Sequence, residues 1–271
     1  MARAQQRLEH LTSTRPRTRN NRAMIVRSEH IDLPAGDGVM RCFMAMPEQP
    51  GRYPGIVFYS DIFQLTGPMQ RACVRLAGHG YTVLAPEIYR RIEPAGTVIA
   101  FDDAGRSRGL SDAERTPVAH FDADCRLALD HLASHPAVAP GQLGAAGFCI
   151  GGHLAMRAAL QPDVKATACF YATGVHNGKL GQDADAGTLQ RLGEIGGRLL
   201  LVWGTADPHI PAAGRDLIEA TLRAKNVDFE QRLYAAEHAF MRDVGARFDP
   251  EAADLAFAEA VAFFRAAFRP A

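Results

Sequence analysis

Short apolar runs recur along the chain with helical stretches between them: "GIVFYS" (55–60), "YTVLAPEIY" (81–89), "QLGAAGFC" (142–149), "ATACFYAT" (166–173), "GRLLLVWGTAD" (197–207) and "FEQRLYAA" (229–236). Each run is short enough to be a strand, and most are too continuously apolar to have a solvated face. The intervening stretches predict helices over 67–79, 117–134, 151–160, 211–225 and 250–268; in the last, Leu255, Phe257, Val261, Phe264 and Phe268 recur at three- and four-residue spacing. Strands buried between alternating helices predict an α/β fold with a mainly parallel, doubly wound sheet of about eight strands flanked by helices on both faces. Ahead of this pattern, "VRSEHIDLPAGDGVMRCFMAMP" (26–47) holds two alternating segments around "AGDG", which predicts an antiparallel hairpin whose Gly and Asp supply positive φ. The longest irregular stretches are 90–116 and 174–188, each following a predicted strand. In open α/β sheets the ligand crevice lies beyond the carboxyl ends of the strands, so these loops are expected to line it.

Composition narrows the class. The 271 residues carry 30 Lys+Arg against 30 Asp+Glu, a formal net charge of zero, so no global field draws the chain to nucleic acid or to an anionic membrane. No apolar run approaches the roughly 18 residues of a membrane span. Residues 1–24 are rich in arginine with little apolar periodicity and read as a basic leader ahead of a single domain over 25–271. The five cysteines, Cys42, Cys73, Cys125, Cys149 and Cys169, are odd in number and lack CxxC spacing, which favours reduced thiols and a cytoplasmic location. The histidines lack metal-ligand spacing and no G-x-G-x-x-G opens a helix, so no metal or other cofactor is expected. The expected partner is a small molecule, with the chain working as a monomer or weak homodimer.

One cysteine stands apart. In "LGAAGFCIGGHLAM" (143–156) Cys149 ends a predicted strand, precedes a predicted helix and is flanked by Gly147 and Gly151. That is the context of a nucleophile elbow, with Cys in place of the Ser of G-x-S-x-G; the glycines let strand, turn and helix pack closely. The helix N-terminus favours a thiolate there, and the N–H of Ile150 is free to receive an oxyanion. A base and an orienting carboxylate follow in the order this architecture uses: Asp207 after "LLLVWGTA" and His238 after "FEQRLYAAE", both at the carboxyl ends of strands. The other four cysteines read as small buried hydrophobes, and the remaining histidines, His153 and His209 included, as structural or solvated groups.

"GFCIGG", "GTADPHIP" and "EHAFMR" resemble the three active-site segments of the dienelactone hydrolase family of the α/β-hydrolase fold, and the similarity runs from about residue 28 to 268. The resemblance implies Cys149 as nucleophile, Asp207 as orienting acid and His238 as base. It also implies that Asp61, in "VFYSDIFQL", stands where the family usually has a gating glutamate one methylene longer. The following Ile62 N–H would be the second oxyanion donor. In "LAPEIYRRIEP" the carboxylate-binding arginine corresponds to Arg91, with Arg90 as its competitor, and Arg242 matches a second such arginine one helical turn beyond His238. Two arginines near a nucleophile would fork a carboxylate. The expected activity is therefore cysteine-dependent hydrolysis of a lactone or activated ester carrying a carboxylate, through a covalent thioester. A general carboxylesterase or C–C or thioester hydrolase on the same triad, and a non-catalytic redox-sensing or binding module, remain the alternatives.

Overall fold

The computed structural model describes residues 24–269; the basic leader expected over 1–24 lies outside them except for Met24. Eight strands form one sheet: β1 (Val26–Ala35), β2 (Gly38–Pro47), β3 (Tyr53–Tyr59), β4 (Thr82–Pro86), β5 (Val138–Phe148), β6 (Val164–Phe170), β7 (Arg198–Gly204) and β8 (Phe229–Tyr234). Their order is β1-β2-β4-β3-β5-β6-β7-β8. β1 pairs antiparallel with β2, and β2 antiparallel with β4, while every pairing from β4 to β8 is parallel. The apolar runs account for this: β4 is buried along its length and β7 nearly so, as strands covered on both faces must be.

The helices are α1 (Gly67–Ala77), α2 (Asp103–Arg115), α3 (Val118–Ser134), α4 (Ile150–Ala158), the single turn α5 (Thr188–Arg191), α6 (Ala212–Ala224) and α7 (Pro250–Ala267). Side chains alternate across β5, and two glycines show what each face meets. A Cβ on Gly144 would touch Phe268 and Phe264 at the end of the chain, whereas one on Gly147 would strike the first turn of α4. α1 shares the α7 face, joined to it by the Arg75–Asp254 ion pair at 3.0 Å and by His79 against Phe257. α3 and α4 pack together on the other.

Two local expectations are corrected. The positive φ at the β1–β2 turn falls on Gly38 (134°), not on the two residues that span the turn. The stretch 90–116 is not irregular throughout, because it contains the thirteen-residue helix α2. Its sequence "DAGRSRGLSDAER" has no apolar stripe and two interior glycines, so neither periodicity nor propensity announces it. Asp102 caps it by accepting from the Gly105 N–H at 2.7 Å. Its glycines let it press against the chain before and beside it: a Cβ at Gly105 would lie 1.9 Å from the Ala100 carbonyl oxygen, and one at Gly109 2.4 Å from that of Ile62. Tertiary contact holds this helix where local preference does not.

Candidate active site

β5 runs into α4 through a single residue. Cys149 takes φ 59°, ψ −120°, a conformation that costs any side-chain-bearing residue and is kept only where its surroundings impose it. Those surroundings are backbone. The Cys149 N–H donates to the Phe170 carbonyl (3.1 Å), and its own carbonyl accepts from Gly152 (3.0 Å) and Thr173 (3.2 Å). The sulfur is thereby lifted over the strand ends, half-buried, with Thr173 Oγ1 at 4.0 Å.

β7 and β8 deliver the partners. Gly204 ends β7 against the β8 side, where a Cβ would meet the Ala236 carbonyl oxygen at 2.4 Å. This close approach brings the segments after the two strands together. The buried Asp207 accepts the His209 N–H on Oδ1 at 2.8 Å and His238 Nδ1 on Oδ2 at 2.7 Å. With Nδ1 committed to a carboxylate, Nε2 is the nitrogen left to face the Cys149 sulfur, whose charge acts on the ring. Tyr171 and His209 wall the imidazole edge-on, their ring centroids 5.1 and 4.7 Å away. Asp207 and His238 are thus hydrogen-bonded to each other, and His238 and Cys149 line one cavity.

The charges are matched. Burial disfavours the imidazolium, but the Cys149 charge and the Asp207 hydrogen bond outweigh it and raise the His238 pKa to about 9. Burial likewise works against ionisation of Asp207, and the His238 hydrogen bond and charge hold it below the usual carboxylate range. A protonated His238 beside Cys149 therefore persists at neutral pH and is lost as pH rises through about 9. In Cys149→Ala the cost of burial stays while the sulfur's charge goes. NMR titration of the His238 ring is expected to show its pKa falling from about 9 toward or below the ordinary imidazole value; an unchanged pKa would mean that the sulfur does not hold the proton. His153 behaves differently: wholly buried, with Nδ1 on the Thr173 carbonyl (2.9 Å) and Nε2 on Thr188 Oγ1 (2.8 Å), its pKa is driven down to about 3 by burial. It is a neutral structural group.

Cys149, Ile150, Ile62, Asp61, His238 and Arg242 all line one cavity of about 830 Å³. Among the described residues the N–H groups of Ile62 and Ile150 have no backbone acceptor, as oxyanion donors require. Asp61 accepts from the Phe63 N–H on one oxygen and from Arg242 Nη1 on the other, each at 3.0 Å, so its carboxylate is spent on the arginine. No hydrogen bond joins it to Cys149 among the described residues. Arg242 follows His238 in a turn closed by its N–H on the Ala239 carbonyl (3.0 Å) rather than in a helix. Its guanidinium lies under the Phe101 ring, 3.8 Å from the centroid, and its buried Nε has no partner.

Arg91 is the prediction that the geometry does not bring to the cavity. Its guanidinium pairs with Asp37 in the β1–β2 turn and with Asp124 on α3 (2.7 Å), and Arg90 binds the same two carboxylates. The two arginines tie the hairpin to α3, away from the sulfur. Other cations line the cavity instead, among them Arg106 on α2 and Arg247, and both are close enough to His209 to lower its pKa after burial has done so. Arg106 and Phe101 escaped notice because they lie in the stretch read as irregular. Only the rule that loops after strands line the crevice pointed there.

Comparison with known proteins identifies the family. Residues 40–268 match the profile of the Dienelactone hydrolase family. A Saccharomyces cerevisiae protein named "Putative carboxymethylenebutenolidase" is 36% identical over 212 residues, 75% of this chain and 77% of that one. The carboxymethylenebutenolidase of Pseudomonas putida is 25% identical over 231 residues, 84% of this chain and 92% of its own. In three dimensions the chain resembles a dienelactone hydrolase-like promiscuous phosphotriesterase, P91, from metagenomic libraries. The TM-score is 0.74 at 21% identity, covering 90% of this chain and 99% of that one, a likeness of fold. Among the described residues no helix is long and apolar enough to cross a membrane.

Proposed function

The chain belongs to the dienelactone hydrolase family and is a hydrolase of ester bonds; from that premise we propose that it works in the cytoplasm as a cysteine-dependent hydrolase of lactones or activated esters that carry a carboxylate. The observation that carries the proposal is the Asp207–His238 hydrogen bond set beside a Cys149 that is held at positive φ and acts on the His238 ring. His238 beside the sulfur is placed to hold the thiol proton as the sulfur attacks an acyl carbon, forming an S–C bond as the carbonyl π electrons move to oxygen. The N–H groups of Ile62 and Ile150 are free to hold that oxyanion. Collapse breaks the C–O bond and His238 hands its proton to the departing oxygen. The neutral ring then takes a proton from water, whose hydroxide adds to the thioester and releases the acid. A thiolate is itself a good leaving group, so this sequence favours lactones and activated esters over amides. Incubation with p-nitrophenyl acetate followed by intact-protein mass spectrometry tests it. One acetyl group on Cys149 is expected, and turnover with no acyl-cysteine at any time would refute the thioester route.

Arg242 is the group suited to a substrate carboxylate. It lines the cavity with the sulfur and spends only Nη1 on Asp61, which leaves donors for an incoming anion. On this reading Asp61 restrains Arg242 rather than Cys149, and a substrate carboxylate competes with it. Arg242→Gln is expected to lower the kcat/KM ratio of a carboxylated ester to its neutral methyl analogue by roughly 10–100-fold, the usual worth of a charged hydrogen bond. Asp61→Asn should move the ratio the other way by freeing the guanidinium. Steady-state kinetics on the two esters decide it: an Arg242→Gln ratio equal to the parent's would remove Arg242 from carboxylate recognition.

A further inference from the structure

The cavity is larger than a small lactone acid needs, and an aromatic ring, that of Phe101, stands in it directly beside Arg242. At about 830 Å³ it lies near the top of the ~300–1,000 Å³ range of clefts that enclose drug-sized ligands. Phe101 and Leu110 line it while 44% and 43% exposed, among the charged Asp103, Arg106 and Glu114 of the same segment, so two large apolar side chains face a cleft that a small lactone acid would leave mostly filled with water. The wall is built rather than incidental. The Phe101 ring is pinned between the Arg242 guanidinium (3.8 Å) and the edge of Phe63 (4.8 Å between centroids). Gly245, at φ 89°, leaves it room on the far side, where a Cβ would come within 2.7 Å of the ring. Leu110 is carried by α2, which its buried glycines seat against the Ile62 carbonyl, so the cavity cannot shrink by α2 moving closer.

We propose that the substrate class of this site is bulky aromatic carboxylates esterified at a second position, with the arene lying on Phe101 and Leu110 while the carboxylate reaches Arg242. Phe101 is then the specificity-determining residue: one ring covers the cation and forms the surface beside it, so a substrate is recognised by an arene placed close to its carboxylate. The proposal rests on the ester-hydrolase reading above and extends it to the substrate.

The test compares the mono(trifluoroethyl) esters of glutaric, β-phenylglutaric and β-naphthylglutaric acid, which share the reacting group and the carboxylate and differ in the ring. Turnover is followed by pH-stat and acylation of Cys149 by mass spectrometry. In the parent protein kcat/KM is expected to rise roughly tenfold or more from the unsubstituted to the naphthyl ester, the scale of burying an aromatic ring. The naphthyl-to-unsubstituted ratio should fall toward one in Phe101→Ala, fall partway in Leu110→Ala, and be retained in good part in Phe101→Leu, which keeps an apolar wall. A parent ratio at or below one overturns the proposal, as does acylation by p-nitrophenyl acetate but by none of the three esters. Failure of Cys149 to acylate with any ester, p-nitrophenyl acetate included, would instead overturn the thioester reading on which it stands.

Discussion

Cys149→Ala is expected to lower kcat/KM on p-nitrophenyl acetate by on the order of 10⁴-fold or more, the scale seen when the nucleophile is removed from a triad that works as a unit. The loss should fall on kcat, because no covalent intermediate forms, while the cavity that binds the ester is otherwise unchanged. Alanine suits this test. Both residues carry a Cβ, so the strained φ of 59° at the elbow costs each about the same, and the backbone bonds to Phe170, Gly152 and Thr173 do not involve the sulfur. The far-UV circular dichroism and Tm should therefore stay close to the parent's. Turnover by the alanine variant at the parent's rate would remove Cys149 from the chemistry and leave it a half-buried packing residue.

Much of this site could be read from the chain because its requirements are local. A nucleophile raised on a strand-to-helix turn needs glycine two places to either side, and Gly147 and Gly151 meet backbone oxygens at 1.9 and 2.3 Å where any Cβ would go. Such a demand writes itself into adjacent letters. Asp207 and His238 are placed by the same sheet, each just past the end of a parallel strand, so their order in the chain maps onto their order across the site. The central strands were legible because strands buried on both faces leave little room for polar residues, and the β1–β2 hairpin because its residues alternate around a Gly/Asp turn.

What was not legible depends on partners distant in sequence. The motif around "YRR" locates a backbone position at the end of β4, but the direction of each guanidinium is decided by Asp37 in the hairpin turn and Asp124 on α3. No pattern within the segment signals that two carboxylates from elsewhere converge on it. α2 is hidden in the same way. Its buried face consists largely of Gly105 and Gly109, which contribute close approach instead of apolar surface, and apolar periodicity does not register a face made of missing side chains. Phe101, Arg106 and Leu110 went unread with it. The proposed nucleophile was therefore legible before the aromatic ring beside Arg242.

Gly147→Ala carries the largest expected effect on stability. The added Cβ would fall 1.9 Å from the Gly151 carbonyl oxygen and 2.9 Å from the Gly152 nitrogen, both main-chain atoms in the first turn of α4. A side chain could swing away; this obstacle cannot. α4 is pressed from its other side as well, since Gly151 already lies so close to β3 that its own Cβ would come within 2.5 Å of the Tyr59 carbonyl oxygen. Relieving the clash means separating α4 from β5 in the middle of the sheet and opening contacts that are otherwise close-packed. A cost above about 4 kcal/mol is expected, with Tm lower by about 10 °C or more, or no folded protein at all. Gly36→Ala is the control: its Cβ meets nothing within 4 Å and its φ is not positive, so Tm should move by no more than about 2 °C. Thermal unfolding of the two variants beside the parent decides the matter. A Gly147→Ala protein that melts with the control would show that the elbow tolerates a methyl group, and that close packing of β5 on α4 is not what holds Cys149 at positive φ.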